Sequence, residues 1–210
     1  MHHPPAGGGG RPRSRGREGA QGRRGHRRHA GGLGRAGHRG HRGRHPGLGH
    51  RGPALTGRLA VVAPVAGTVI PLAEIPDPVF SAGLVGPGSA VAPDPAAGGR
   101  AVAPVTGTVV KLHPHAYVVA APDGRGVLVH LGIDTVQLHG EGFELHVAEG
   151  DTVEAGQHLV TWDPAAVRSG GRSPVVPVVA LDAAADALDD VAAVGTALTT
   201  TDVLFSVAPR

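Results

Sequence analysis

The chain has 210 residues, and its charges are segregated: residues 1–55 hold 13 of the 20 Lys and Arg and one acid, Glu18, whereas residues 56–210 hold 7 basic residues and 16 acids. The formal charges of the two parts are therefore +12 and −9, so the pI near 10.5 belongs to the leading segment and no nucleic-acid partner is expected for the rest. There is no Cys, which excludes disulfides, Cys-ligated zinc and a thiol nucleophile on this chain, and no apolar run approaches the roughly 18 residues of a membrane span.

The Arg-rich start also lacks the apolar segment of a secretory signal, so a cytoplasmic protein without membrane insertion is expected. Residues 1–55 are dominated by Arg, Gly, His and Ala and contain no Phe, Tyr or Trp. Such a segment cannot bury enough apolar surface to offset the entropy of ordering, which predicts disorder. Its composition is what GC-rich codons yield in an unintended frame, and patterned sequence begins near Leu59. A misassigned start is the simplest reading, ahead of an inert linker or an arm that binds nucleic acid or metal.

Residues 56–210 are rich in Val, Thr and Gly, with Pro and Gly punctuation every 8–12 residues, the pattern of short strands in an antiparallel sandwich or barrel. The expected class is all-β with little helix, the single helical candidate being Leu181–Val194. An internal repeat is visible: VVAPVAGTVI (61–70) and AVAPVTGTVV (101–110) agree at seven of ten positions, and GDTVEAGQHLVTW (150–162) is echoed by GTALTTTDVLFSV (195–207). Two such pairs predict duplicated half motifs on one core. In each unit Pro64 or Pro104 removes a ladder donor at a strand edge, and Gly67 or Gly107 supplies the permissive backbone of a tight turn or bulge.

Next in the chain, HAYVVAAPDGRGVLVHLGID (115–134) reads as a hairpin with Asp123-Gly124 at its turn. A two- or four-residue loop sets Tyr117 opposite His130 and His115 opposite Gly132, which puts His115 and His130 on one face in diagonal positions. A three- or five-residue loop would put them on opposite faces. Two imidazoles on one face, with Asp134 four residues on, can supply a nucleophile, an acid or base, or metal ligands.

At these residues the chain resembles a known family. VLVHLGIDTVQLHGEGF (127–143), PHAY (114–117), IPDPVF (75–80) and VAPVTGTVVKL (102–112) closely resemble the glucose-type IIA component of the bacterial phosphoenolpyruvate-dependent sugar phosphotransferase system, over about residues 61–207. The resemblance implies a phosphocarrier that takes a phosphoryl group from HPr and passes it to a cysteine of the IIB domain of a sugar permease. It implies that His130 is phosphorylated on Nε2 while its Nδ1 side is held by backbone, and that His115 hydrogen-bonds the phosphoryl oxygens. Gly132, Asp134 and Asp77 would border the site, and Val79, Phe80, Val85 and Val136 would form the apolar rim on which partners dock. No cofactor is required by such a carrier; a Zn²⁺ shared by His115 and His130 with a partner's carboxylate is the one metal it could recruit. A free, monomeric subunit is expected, and selectivity for glucose, N-acetylglucosamine or another sugar would reside in the permease.

The chain departs from the family at His113, where a small polar residue is usual, and at Pro87, where an acidic or polar one is common. Two other readings compete. A zinc hydrolase would use the HxH of His113 and His115 with the HxxxD of His130 and Asp134, although peptidases of that kind carry the motifs in the opposite order. A lipoyl- or biotin-carrier reading of VAEGDTVEAGQHLV (147–160) fails for want of a presented lysine, since Lys111 follows a Val-rich strand. His139, His146 and His158 are expected to face solvent.

Overall fold

The computed structural model describes residues 57–209, so the expectations for residues 1–55 lie outside it. The chain runs through β1 (Leu59–Val62), β2 (Gly67–Ile70), a short helix α1 (Pro78–Ser81), β3 (Gly88–Pro93), β4 (Arg100–Val102), β5 (Gly107–His113) and β6 (Ala116–Ala120). It continues through β7 (Gly126–His130), β8 (Phe143–Leu145), β9 (Thr152–Val153), β10 (His158–Trp162), helix α2 (Pro164–Ser169), β11 (Val176–Ala180), β12 (Leu188–Asp189), β13 (Ala197–Leu198) and β14 (Val203–Val207). All the strand pairings are antiparallel: a large sheet ordered β13-β2-β3-β11-β7-β6-β5-β9, and two small sheets ordered β1-β14-β12 and β4-β10-β8. The all-β sandwich expected from strand-length apolar runs and turn residues is the observed class.

The duplication is written into the hydrogen bonds. Val62 N donates to Pro104 O and Val102 N donates to Pro64 O, both at 2.9 Å, so the two APVxGTV units exchange equivalent bonds about a local twofold. β2 pairs β13 as β5 pairs β9, and β1 pairs β14 as β4 pairs β10. The weak echo between residues 150–162 and 195–207 is thus a structural equivalence. Gly67 and Gly107 serve it differently from the expected turn or bulge. Each opens a strand, and a Cβ there would lie 2.1 Å from Ala92 O or 2.0 Å from Ala120 O, so glycine is needed for close approach of the neighbouring backbone.

Leu181–Val194 is not helical, which corrects the sequence-based expectation. Asp182 and Asp190 adopt left-handed φ of 52° and 51°, and Leu188–Asp189 is taken up by β14, pairing with Val207 and Ser206. Tertiary pairing overrides the helix propensity of the alanines. The two helices begin instead at Asp-Pro: Asp77 accepts from Val79 N and Phe80 N, and Asp163 accepts from Ala165 N and Ala166 N, the preferred N-cap followed by proline at the first helical position.

The large sheet separates two apolar clusters. Val127 and Val129 of β7, with Tyr117 and Val119 of β6, point into the main core. The opposite face carries a smaller cluster of Ile75, Phe80, Ala90, Ile133 and Val179, against which Leu128 and Val85 pack. Period-two alternation along β7 puts His130 on that second face, at the strand's end. Among the described residues no helix is long and apolar enough to cross a membrane.

Candidate functional site

The β6–β7 connection is the five-residue one, with Ala120 opposite Gly126 and Ala116 opposite His130. The register that sets Tyr117 opposite His130 is therefore off by one. By the pleat alone His115 would fall on the other face. It escapes that rule because it does not lie in the strand: Pro114 and His115 form the two-residue turn between β5 and β6, where side-chain alternation no longer applies. Its carbonyl accepts from Leu131 N at 2.7 Å, tying the turn to the end of β7. The His115 and His130 rings meet edge to face, with centroids 5.1 Å apart.

His130 is half-buried, and its Nδ1 lies 2.6 Å from Gly132 O. A carbonyl can only accept, so Nδ1 carries the proton and the lone pair is left on Nε2. Burial holds His130 below the ordinary imidazole range, opposed in turn by the Gly132 hydrogen bond and by the carboxylates of Asp77 and Asp134. His115 is likewise held low, by burial first and then by the neighbouring rings of His130 and His113. His113 is exposed and stacks on His115 at 5.9 Å and 16°, so the unassigned third imidazole extends the pair into a row.

The loop after β7 is shaped to present the carbonyl that holds His130. Gly132 has φ 78°, and a Cβ there would lie 2.7 Å from Thr135 Cγ2, so only glycine fits this left-handed, crowded position. Thr135, fully buried, donates to Leu131 O at 2.8 Å, and Ile133 N donates to Ser173 O at 2.7 Å. Sequence reasoning passed over Thr135; its place immediately after the border acid Asp134 was the available signal. Asp134 is exposed, with a left-handed φ of 59°.

Asp77 lies near enough to His130 for its carboxylate to act on that ring, and it caps α1, which carries Phe80 and Val79. The Phe80 ring lies 5.5 Å from that of His130, edge to face. Phe80 is buried and Val85 half-buried, whereas Val79 and Val136 are exposed. Leu84, the most exposed large apolar residue of this loop at 75%, is a rim residue that the sequence reading missed, although it lies within four residues of Phe80. Pro87 is half-buried, and its carbonyl accepts from Ala180 N at 2.9 Å.

His113, His115, His130 and Asp134 do not make the converging triad of ligands that a zinc hydrolase needs; among the described residues no group of three or more His, Asp or Glu could hold a metal ion. His115 and His130 supply two ligands at most, and any further donor would have to come from a partner. What remains is a deprotonated Nε2 beside a second imidazole, under an apolar rim.

Comparison with known proteins gives this arrangement its context. Residues 59–185 match the family model described as phosphoenolpyruvate-dependent sugar phosphotransferase system, EIIA 1. The chain belongs to this family. It is 42% identical over 124 residues to a glucose-specific EIIA component of Oceanobacillus iheyensis, covering 58% of this chain and 73% of that one. It is 44% identical over 126 residues to a mannose-specific EIIBCA component of Corynebacterium glutamicum, covering 59% of this chain but 18% of that longer protein. The fold is similar to that of the glucose permease IIA from Mycoplasma capricolum, with a TM-score of 0.65, 34% identity and coverage of 71% of this chain and 95% of that one. As an EIIA component the protein is a phosphotransferase component, a phosphocarrier of the sugar phosphotransferase system.

Proposed function

We propose that the phosphoryl group is carried on Nε2 of His130, taken from a phosphohistidine of HPr and passed to a cysteine of the IIB domain of a hexose permease, at the cytoplasmic face of the membrane. The observation that carries this reading is the 2.6 Å bond between His130 Nδ1 and Gly132 O, which leaves Nε2 as the nucleophile. In the first step the Nε2 lone pair forms the new P–N bond as the P–N bond to HPr breaks, its electron pair returning to the donor imidazole. The proton on Nδ1 stays in place, so the phosphorylated ring is cationic. The carbonyl of Gly132 and the carboxylates of Asp77 and Asp134 stabilise that cation. In the second step a IIB thiolate attacks phosphorus and the electron pair returns to Nε2, restoring neutral His130 without a proton transfer.

Phosphoryl transfer requires in-line positioning and charge stabilisation. The His115 N–H supplies the latter for the phosphoryl oxygens, and the rim of Val79, Leu84 and Val136 offers apolar surface for both partners. Relatives carrying glucose-specific and mannose-specific names favour a hexose as the transported sugar.

The test is intact-mass analysis after incubation with phosphoenolpyruvate, enzyme I and HPr. One acid-labile phosphoryl group is expected on the protein and none on His130→Gln. His115→Gln is expected to accept the group but to pass it to IIB about 10²-fold more slowly, the order seen when one charge-stabilising donor is removed. Normal onward transfer by His115→Gln would refute the role given to that ring.

A further inference from the structure

His146 and His158 stand apart from the phosphocarrier site, and the transfer chemistry uses neither. His146 is exposed, as the sequence reading has it, and His158 is half-buried; the structure brings their rings together, with centroids 4.3 Å apart and planes at 43°. His146 follows the edge strand β8, its N–H donating to Leu159 O at 2.9 Å, and His158 opens β10. The ladder between β10 and β4 shifts register between His158 and Val160. Such a bulge re-aims a side chain, and here it brings His158 alongside His146.

Both Nε2 atoms converge on one oxygen. Thr161 Oγ1 lies 2.7 Å from His146 Nε2 and 3.1 Å from His158 Nε2. A hydroxyl has one proton to give, so at most one ring accepts from it. His158 Nε2 also lies 3.1 Å from Val160 O, which only accepts. His158 therefore carries its proton on Nε2, and Thr161 Oγ1 is placed to accept from it. Glu144 is opposite Thr161 in the β8–β10 register, a carboxylate on the same face. Arg100, opposite Thr161 on the other side, directs Nη2 to Gly156 O at 3.4 Å.

We propose that His146 and His158, converging across Thr161, form a binding site for a late first-row divalent cation of the Zn²⁺, Ni²⁺ and Cu²⁺ class, which imidazole ligands suit. The ion takes the lone pair of each Nε2, with the His158 proton moving to Nδ1, and so fastens β8 to β10. The alternative is a hydrogen-bonded surface pair with no ligand.

Bulk metal binding cannot report on this site, because residues 1–55 contain eight further histidines and His115 and His130 form a second pair. The full chain is therefore titrated with Zn²⁺ at neutral pH while the ring nitrogens are followed residue by residue by ¹H–¹⁵N NMR. The His146 and His158 rings are expected to respond together, with one shared midpoint that His130→Gln leaves in place. Replacing either ring, as His146→Ala or as the bulk-preserving His158→Gln, should move the remaining ring's midpoint to about tenfold higher Zn²⁺ or beyond. Separate midpoints, a His146 response unchanged by His158→Gln, or responses confined to the other histidines would overturn the proposal.

Discussion

The phosphoryl transfer proposed at His130 calls for a neutral imidazole with its proton on Nδ1; burial favours the neutral ring and the Gly132 carbonyl holds the proton. The same burial has an energetic consequence. His115, His130 and His158 are each held below their ordinary value of 6.5, so below pH 6.5 the unfolded chain binds more protons than the folded one. Stability then falls as pH drops through the window beneath 6.5 and levels off once both states are protonated. Urea midpoints measured from neutral pH to about pH 5 should decline, and His130→Gln should flatten part of that slope. Gly132 is the residue that aims the fixing carbonyl. Gly132→Ala forces a Cβ against Thr135 at a left-handed φ and should cost about 1–3 kcal/mol, read as a lower urea midpoint. Its rate of phosphoryl acceptance should fall as well, because the hydrogen bond to Nδ1 is displaced.

Individual elements owe their placement to a few contacts that can be separated by substitution. Helix α1 carries Phe80 to the His130 ring, and its start depends on the carboxylate of Asp77 accepting from Val79 N and Phe80 N. Asn caps a helix about as well as Asp. Asp77→Asn should therefore keep the denaturation midpoint while slowing phosphoryl acceptance, since the cationic phosphorylated ring loses one carboxylate. Asp77→Ala should lose about 1 kcal/mol as well. At the start of β5, Gly107→Ala would press a methyl group onto Ala120 O and should destabilise by about 1–3 kcal/mol; the equivalent Gly67→Ala should match it, because the two units are structurally equivalent. Denaturation curves of the two variants measured side by side would test that symmetry.

Across the whole molecule, one buried side chain joins segments far apart in the chain. Arg125, 5% exposed, donates from Nη1 to Val207 O and Ala208 O and from Nη2 to Gly57 O, and it pairs with Asp123. It stands just before β7, whereas His130 ends that strand. Arg125→Met should cost about 3 kcal/mol, the scale of a broken buried pair, while phosphoryl acceptance under native conditions stays close to that of the unaltered chain. A loss of acceptance equal to that of His130→Gln, with the fold intact, would show that the two ends of β7 are coupled.

Much of this was legible in the sequence. The repeated APVxGTV units, the alternation along Val127–His130, the Asp-Pro pairs and the His-Leu-Gly-Ile-Asp run are local patterns, and period-two burial and turn chemistry act over a few neighbouring residues. They were enough to determine an all-β class and a duplicated core, and to single out His115 and His130, whose rings the structure brings together. Register was not among them, because an Asp-Gly turn is compatible with more than one loop length; the odd one is adopted here, with Arg125 held by Val207, Ala208 and Gly57. The turn position of His115, the bulge that joins His158 to His146, and the recruitment of Leu188–Asp189 by β14 likewise come from contacts between residues distant in the chain. The residues and their chemistry were set by the sequence itself; which of them face one another was decided by tertiary pairing, since a shift of one residue in a ladder turns every side chain to the other face.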